Sequence, residues 1–191
     1  MIVIGISGKA GSGKDTTALM IKEILEKDGK KCKIVGLADN LKARYCFIND
    51  LDGSLMTRGS EDYEFKCKHR KGLIEYGMNE KVIWGSDIWC RRLLEADYPE
   101  DLQVLIIPDI RYPVEVEFFS YSGISFHLIR INRNIDTGTD ASGSKEPSIS
   151  LTLDASETSL DDHPFKFVID NNGTKEELTA KVEDVISVIL S

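Results

Sequence analysis

The 191-residue chain lacks features that would place it in two common classes of protein. It has no surplus of basic residues, because 24 Lys and Arg stand against 32 Asp and Glu, which gives a net charge of −8. This balance argues against non-specific binding to nucleic acid or to anionic membranes, although a small phosphorylated substrate needs only a local basic pocket. No apolar run reaches membrane length, and the first strand pattern begins at residue 2. We therefore expect neither a transmembrane helix nor a signal peptide.

Cysteine is scarce, and its arrangement argues against a zinc site. The chain has four cysteines, far apart and without a C-x-x-C pair: Cys32, Cys46, Cys67 and Cys90. They are typical of reduced thiols, so we expect a cytoplasmic protein. Internal repeats are absent from the sequence, and 41% hydrophobic with 29% charged residues is ordinary for a globular domain. The length suits a single α/β domain with a sizeable core.

The most informative stretch is the beginning of the chain, where three patterns follow one another. An apolar run at residues 2–6 (IVIGI) predicts a buried strand, and helical spacing of apolar residues predicts a helix over 14–27. Between them, Gly8 and Gly13-Lys14 have the spacing of a phosphate-binding loop. Glycines let such a loop turn tightly and point its N–H groups at an anion, and the helix dipole adds positive potential. The alternative is a glycine-rich turn without a ligand.

The loop predicts the cofactors ATP and Mg²⁺. Lys14 would hold the β- and γ-phosphates as a point charge. The usual Ser or Thr that touches Mg²⁺ is replaced by Asp15, which we predict as a metal ligand together with Asp109. The predicted nucleotide-binding residues are Gly8, Gly11, Ser12, Gly13, Lys14, Asp15, Thr16 and Asn171.

Five strand patterns alternate with helical patterns along the chain. Because right-handed crossovers join such units, we predict an α/β fold of the P-loop NTPase type: a doubly wound five-stranded parallel sheet with helices on both faces. We expect one domain over residues 1–191. Within it, a helical insertion at about 49–97 would bind the acceptor. The long polar stretch at about 132–156 would form a mobile lid, because loops of that length are usually functional or disordered.

Polar residues follow several of the predicted strands, at the edge where doubly wound sheets bind their ligands. We predict that Lys14, Asp109, Arg111 and Arg133 serve catalysis. Asp109 would order Mg²⁺ or accept a proton, with capping of the next segment as its structural alternative. Arg111 would hold an acceptor phosphate in a fork. Arg133 would turn inward from the lid, while Arg130 packs or pairs.

The acceptor side is predicted from residues between the second and third strands. Asp39 is a plausible N-cap for a helix reaching Phe47, and residues 61–76 form a charged helical segment with many basic residues. A solvated helix face is the ordinary meaning of such a charge run, and substrate binding is the alternative. The predicted substrate-binding residues are Asp39, Lys42, Arg58, Arg70 and Arg91.

Five segments taken together resemble the phage-type deoxynucleoside monophosphate kinase family over most of the chain: GKAGSGKDTTA, ADNLK, LIIPDIRYPVEVE, LIRINR and ASETSLDDHPFKFVIDNNGTKEEL. Animal-type phosphomevalonate kinases look similar over the same segments. The resemblance implies a P-loop kinase that makes a dNDP from a dNMP and ATP. It also implies that Lys14 and Thr16 bind ATP phosphates and that Asp109 and Arg111 lie at the transfer site.

The resemblance also implies that Ser156, Glu157 and Asp161 help form the lid or the base-binding edge. One departure concerns the helix after Gly77, where the family has an arginine on the acceptor phosphate. Lys81 would substitute there as a point charge, but an ammonium cannot form the planar fork of a guanidinium.

The sequence therefore predicts ATP-dependent phosphoryl transfer to a deoxynucleoside monophosphate in the cytoplasm of a bacterium or phage-infected host, with a homodimer left open. One alternative is a kinase for another small phosphorylated acceptor, such as phosphomevalonate. Another is a nucleotide-binding switch or scaffold with little turnover. A GTPase switch would need an Asn-Lys-x-Asp motif after a strand, and residues 170–173 (DNNG) do not form one.

Overall fold

The structure is a computed structural model that describes residues 1–57, 62–134 and 155–191. Arg58, one of the predicted acceptor ligands, lies outside the described residues. So do residues 135–154, which make up most of the predicted lid. The fold is therefore described over the remaining ranges.

The secondary structure alternates strands with helices, as predicted. In chain order the elements are β1 (Ile2–Ser7), α1 (Lys14–Lys27), β2 (Cys32–Ile34), α2 (Leu37–Ile48), a 3₁₀ helix (Gly53–Met56), α3 (Tyr63–Trp84), α4 (Ile88–Leu94), β3 (Val104–Ile107), α5 (Pro113–Tyr121), β4 (Ser125–Asn132), α6 (Ala155–Thr158), β5 (Phe167–Asp170) and α7 (Lys175–Leu190).

The chain divides into two compact units. The sheet unit comprises Met1–Ile34 with Glu100–Ser191, and the helical unit comprises Val35–Pro99. The predicted insertion at about 49–97 falls within the helical unit, and its role in binding the acceptor stays a prediction.

The sheet unit contains a five-stranded parallel sheet with the strand order β2-β3-β1-β4-β5. β1 lies in the middle, paired with β3 on one side and with β4 on the other. β2 and β3 therefore lie on one side of β1, and β4 and β5 lie on the other, which is the doubly wound arrangement of the P-loop NTPase-type fold. The carboxyl ends of all five strands meet at one edge, so the segments that follow β1, β3, β4 and β5 lie close together.

The first face of the sheet carries the main core. Ile4 and Ile6 of β1 are fully buried in one cluster with Ile21 of α1 and Val182 of α7. On α7 the apolar spacing in the sequence predicts a buried stripe of Leu178, Val182, Val185 and Ile189. Three of these are buried, but Ile186 is buried in place of Val185, which is only partly buried. Burial of these apolar side chains stabilises the packing of α1 and α7 against the sheet.

The opposite face of the sheet is covered by α5. A Cβ at Gly5 would lie 2.9 Å from the Phe126 ring, so this central position of β1 has room only for glycine. Phe126 in turn packs against Phe119 of α5, with ring centroids 5.4 Å apart. Helices therefore lie on both faces, as predicted.

The helical unit differs from its sequence prediction at the start of its first helix. The mostly apolar segment 32–37 (CKIVGL) in the sequence predicts the second strand, but β2 ends at Ile34 and α2 begins at Leu37 with Gly36 as its N-cap. Asp39 is therefore not the N-cap. It occupies the first turn, where its carboxylate accepts a hydrogen bond from Gly36 N at 2.7 Å and stabilises the helix start from inside.

The third helix is longer than predicted. The charge run predicted a helix ending near residue 76, whereas α3 continues through Gly77 to Trp84. Gly77 has an ordinary role in packing, because a Cβ there would lie 3.2 Å from a Leu41 methyl group of α2. Over the described ranges, no helix has the length and apolar character needed to cross a membrane.

Candidate active site

The loop between β1 and α1 has backbone geometry that requires glycine. Gly11 and Gly13 have φ values of 73° and 97°, in the left-handed region. A Cβ at Gly13 would collide with Asn171 Nδ2, and one at Gly8 would lie 2.5 Å from Ile131 O. The loop therefore keeps its curvature and its close contacts with neighbouring strands only with glycine at these positions.

The turn after β5 holds the loop from the side. Asn171 Nδ2 donates to Ser12 O at 2.9 Å, and Asn171 N donates to Asn132 O at 2.7 Å. Ser12 itself is buried, and its Oγ has no hydrogen-bond partner among the described residues. A buried hydroxyl without a partner costs free energy, so a ligand with an acceptor oxygen fits this position. This observation supports a phosphate at the loop.

Lys14 begins α1 and is buried, with its ammonium turned back onto the loop. Its Nζ donates to Gly8 O at 2.6 Å and to Lys9 O at 2.7 Å. Burial lowers the pKa of Lys14, and the nearby charge of Arg111 acts in the same direction, whereas Glu157 raises it. A polyanion bound beside Lys14 would favour the ammonium form further.

Arg111, after β3, meets the same loop through a carboxylate. Arg111 NH1 donates to Glu157 Oε1 at 2.5 Å, and Ala10 N of the loop donates to Glu157 Oε2 at 2.5 Å. The backbone at Arg111 is fixed by Glu115, whose buried carboxylate accepts from Arg111 N at 2.7 Å and from Tyr112 N at 3.1 Å. The guanidinium is thus aimed at the loop by the start of α5.

A second ionic cluster lies on the β4 side of the loop. Arg130 NH2 donates to Asp161 Oδ1 at 2.6 Å, and Lys9 Nζ lies 2.9 Å from Asp161 Oδ2. Arg130 NH1 also donates to Ser7 Oγ at 3.3 Å. Arg130 therefore packs and pairs, and Asp161 links it to the loop. Lys9 and Arg130 thus contribute charged groups to this site, although neither was among the predicted site residues.

The charged contacts of Asp161 predict a pH-dependent stability. Burial raises the pKa of Asp161, but hydrogen bonds from Lys9 and Arg130 outweigh burial and hold it below its usual range. The ion pair therefore stabilises the fold fully above the unfolded-state pKa of about 3.9, and its contribution is lost as the pH falls through the lower folded-state pKa. We expect Asp161→Asn to cost about 1 kcal/mol at neutral pH, as partly exposed ion pairs do.

Urea unfolding of the wild type and Asp161→Asn at several pH values measures this difference. We expect it to be constant from pH 7 to pH 5 and to shrink below pH 4. A difference that stays the same at acid pH would mean that the carboxylate charge is not what stabilises the cluster.

A cavity of about 420 Å³ opens next to this cluster. Its lining includes Ser12 and Arg133, and Arg130 lies over the Phe165 ring at 5.4 Å. Arg133 is exposed immediately after β4, so its predicted inward turn stays a prediction. The volume lies within the range of small-molecule and cofactor pockets.

The predicted metal ligands lie at two places on the sheet edge. Asp15 is exposed in the first turn of α1, beside exposed Thr16, and Asp109 is partly buried just beyond β3. Within the described part of the chain, no group of three or more His, Cys, Asp or Glu is arranged to hold a metal ion. Mg²⁺ at a phosphate site usually takes only one or two carboxylates besides phosphate oxygens and water, so these residues fit such an ion. Their metal role stays a prediction.

The predicted acceptor ligands belong to the helical unit. Lys42 lies partly buried on α2, and Arg70 lies on α3 beside a shallow hollow. Arg91 pairs with Asp87 at 3.3 Å and also donates to Trp84 O. A further pair, Arg92 with Glu80 at 2.6 Å, is largely buried and joins α4 to α3. The acceptor roles of Lys42, Arg70 and Arg91 stay predictions.

Comparison with protein families gives a match over the first part of the chain. The family model of phosphomevalonate kinase matches residues 6–124, well over half of the chain. No curated protein matches the chain.

Solved structures with a similar fold cover almost the whole chain at low identity. TT1252 from Thermus thermophilus is 16% identical with a TM-score of 0.51, covering 100% of this chain and 98% of its own. The dephospho-CoA kinase from Campylobacter jejuni is 15% identical (TM-score 0.49; 99% and 98% covered). The APS kinase CysC from Mycobacterium tuberculosis, in complex with AMPPNP and APS, is 13% identical (TM-score 0.46; 99% and 97% covered). At these identities the likeness concerns the fold.

Proposed function

The chain belongs to the phosphomevalonate kinase family, and from this premise we propose that it transfers the γ-phosphoryl group of ATP to a small acceptor that already carries a phosphate. The observation that carries the proposal is the carboxylate of Glu157, which accepts hydrogen bonds from a loop N–H group and from Arg111 and whose charge raises the pKa of the nearby Lys14. Donors that gather around a carboxylate are the donors that a phosphate needs.

Each part of this site has a role in phosphoryl transfer. The loop N–H groups and Lys14 hold the nucleotide phosphates, and Ser12 Oγ donates to one of their oxygens. Arg111 approaches from β3 and holds the acceptor phosphate or the transferring group in its fork. Bound ATP supplies the phosphoryl group, and Mg²⁺ neutralises charge on its phosphates. Because these donors are fixed by the sheet edge, they need little rearrangement as charge develops.

The nucleoside part of ATP fits the cavity beside β4. Arg130 and Phe165 line it, and Asn171 ties its edge to the loop. An aromatic ring and a guanidinium face are the groups that stack on a nucleobase. Arg133 also lines this cavity, and in the proposed mechanism it would approach the phosphates. The four free cysteines fit a reducing compartment.

Phosphomevalonate is the first acceptor candidate because the matching family is named for it. A deoxynucleoside monophosphate is the second, because five segments of the sequence also resemble phage-type deoxynucleoside monophosphate kinases. Phosphomevalonate kinases look similar over the same segments, so this resemblance does not separate the two acceptors. The acceptor is therefore the part of the proposal that most needs a direct test.

A coupled assay of ADP release identifies the acceptor. We expect ADP release with ATP, Mg²⁺ and phosphomevalonate to exceed the rate without acceptor by at least about a hundredfold, because in-line positioning of the two phosphates lowers the barrier by several kcal/mol. The four dNMPs and the four NMPs are screened in parallel. Turnover with one dNMP and none with phosphomevalonate would identify a deoxynucleoside monophosphate as the acceptor. ATP binding without turnover on any acceptor would contradict the kinase proposal.

A further inference from the structure

Glu157 occupies the place that a phosphate would take at the loop. Its Oε2 accepts from Ala10 N and its Oε1 accepts from Arg111 NH1, each at 2.5 Å. The acceptor is a charged carboxylate in both cases, and Arg111 is itself positively charged, so these are charge-assisted hydrogen bonds. The carboxylate is also well shielded, since its side chain is only 9% exposed.

The charge of Glu157 balances the cations that surround it. The charge of Glu157 raises the pKa of Lys14. Burial and the charge of Arg111 act in the opposite direction and lower it. Without an anion, Lys14 and Arg111 would face each other with like charges in a partly buried site. A carboxylate at this position therefore stabilises the protein before any ligand binds.

A second carboxylate anchors the same segment to the loop. Asp161 lies four residues after Glu157 and binds both Lys9 Nζ, at 2.9 Å, and Arg130 NH2, at 2.6 Å. Glu157 thus contacts the backbone of the loop while Asp161 contacts one of its side chains. Residues 157–161, called here the acidic segment, dock on the loop through these two contacts.

We propose that Glu157 is an internal competitor of the nucleotide phosphates: in the free enzyme one of its oxygens fills their position at Ala10 N while the other binds Arg111, and the carboxylate must withdraw when the phosphates bind. An N–H group has a single proton, so a hydrogen bond from Ala10 N to a phosphate oxygen competes with its hydrogen bond to Glu157. The inference rests on the phosphate-binding role proposed for the loop and does not depend on which acceptor is used. Nucleotide affinity is then set partly by how strongly the acidic segment docks.

Removing the charge of Glu157 should tighten phosphate binding. Calorimetry would measure the affinity of wild type and Glu157→Gln for inorganic tripolyphosphate and for ADP, without acceptor. We expect the variant to bind about tenfold more tightly, which corresponds to removing a closed state populated to about 90%. Glu183→Gln is the matched control, because it makes the same charge change at an exposed position of α7. It should leave both affinities unchanged.

Thermal unfolding separates competition from a merely structural contact. Glu157→Gln should lower the unfolding temperature of the free protein, and this difference should disappear in saturating tripolyphosphate, because Glu157 has then left its partners in the wild type. An equal loss with and without tripolyphosphate would overturn the proposal. Should the glutamine variant not fold, Glu157→Asp keeps the charge but shortens its reach, and the same two measurements apply.

Two other results would also overturn the proposal, and they can be told apart. Weaker tripolyphosphate binding by Glu157→Gln than by the wild type would make Glu157 part of the phosphate site. No tripolyphosphate or ADP binding by either protein would instead remove the phosphate-binding role of the loop, and with it the proposed function.

Discussion

Lys14→Ala is expected to reduce phosphoryl transfer by on the order of 10²–10³-fold while leaving the fold intact. Lys14 supplies the point charge at the nucleotide phosphates, and loss of one preorganised donor of this kind has an effect of that size. The fold should survive because alanine suits the first turn of α1 and because the loop backbone is held independently by Asn171. ADP release and circular dichroism on the same sample measure both expectations.

A control on the same helix separates the position of the charge from its loss. Lys22→Ala removes an exposed ammonium of α1, which pairs with Glu26 at 3.6 Å. We expect near-normal turnover for that variant. Near-normal turnover in folded Lys14→Ala as well would contradict phosphoryl transfer at this loop.

The fold could be predicted from local patterns because each pattern pointed to the same arrangement. Residues 3–6 of the first apolar run and all of β3 (Val104–Ile107) are buried, as expected for inner strands of a parallel sheet. The end of the chain was equally clear, since Thr174 followed three residues later by Glu177 is a capping-box pattern, and the two residues do form reciprocal hydrogen bonds of 3.2 Å. Right-handed crossovers then give a doubly wound parallel sheet, whereas the strand order is known only from the structure.

The predicted boundaries of β2 and α3 were wrong, because the local sequence pattern at each fits more than one structure. Residues 32–37 contain an apolar run that fits a strand, but only three of them pair in the sheet, and Leu37 already belongs to α2. Gly77 interrupts the helical pattern of α3 in the sequence, yet the helix continues because Leu41 packs close against that position. Tertiary packing decided both cases, and single-sequence patterns carry no information on it.

The site was only partly predictable for a related reason. Lys14 and Arg111 could be named because a loop motif and a strand end place them. The partners of Arg130 could not, because Ser7 and Asp161 lie 123 and 31 residues away along the chain. One signal was available: Glu157 and Asp161 are two carboxylates four residues apart, a spacing that puts them on one side of a helical turn. The loop atoms that these two carboxylates contact could be identified only from the structure.

Arg111→Lys is expected to lower kcat/KM for the acceptor by on the order of tenfold to a hundredfold, or roughly 1.4–2.7 kcal/mol. Lysine keeps the charge but loses the planar fork, so the variant tests geometry and not charge alone. A contact made in both ground and transition states mainly raises KM, and one gained in the transition state lowers kcat. We expect both effects. Steady-state kinetics with the acceptor found in the screen measures them.

The same variant also tests which substrate Arg111 serves. Lys14 and the loop N–H groups hold ATP separately, so its affinity should change little, and any change should be towards tighter binding because the contact with Glu157 is weakened. Arg44→Lys, at an exposed position of α2, is the matched control and should behave as wild type. If Arg111→Lys instead weakens ATP binding and leaves the acceptor kinetics untouched, Arg111 belongs to the nucleotide, and the acceptor phosphate must be held by Arg58, Arg70 or Arg91.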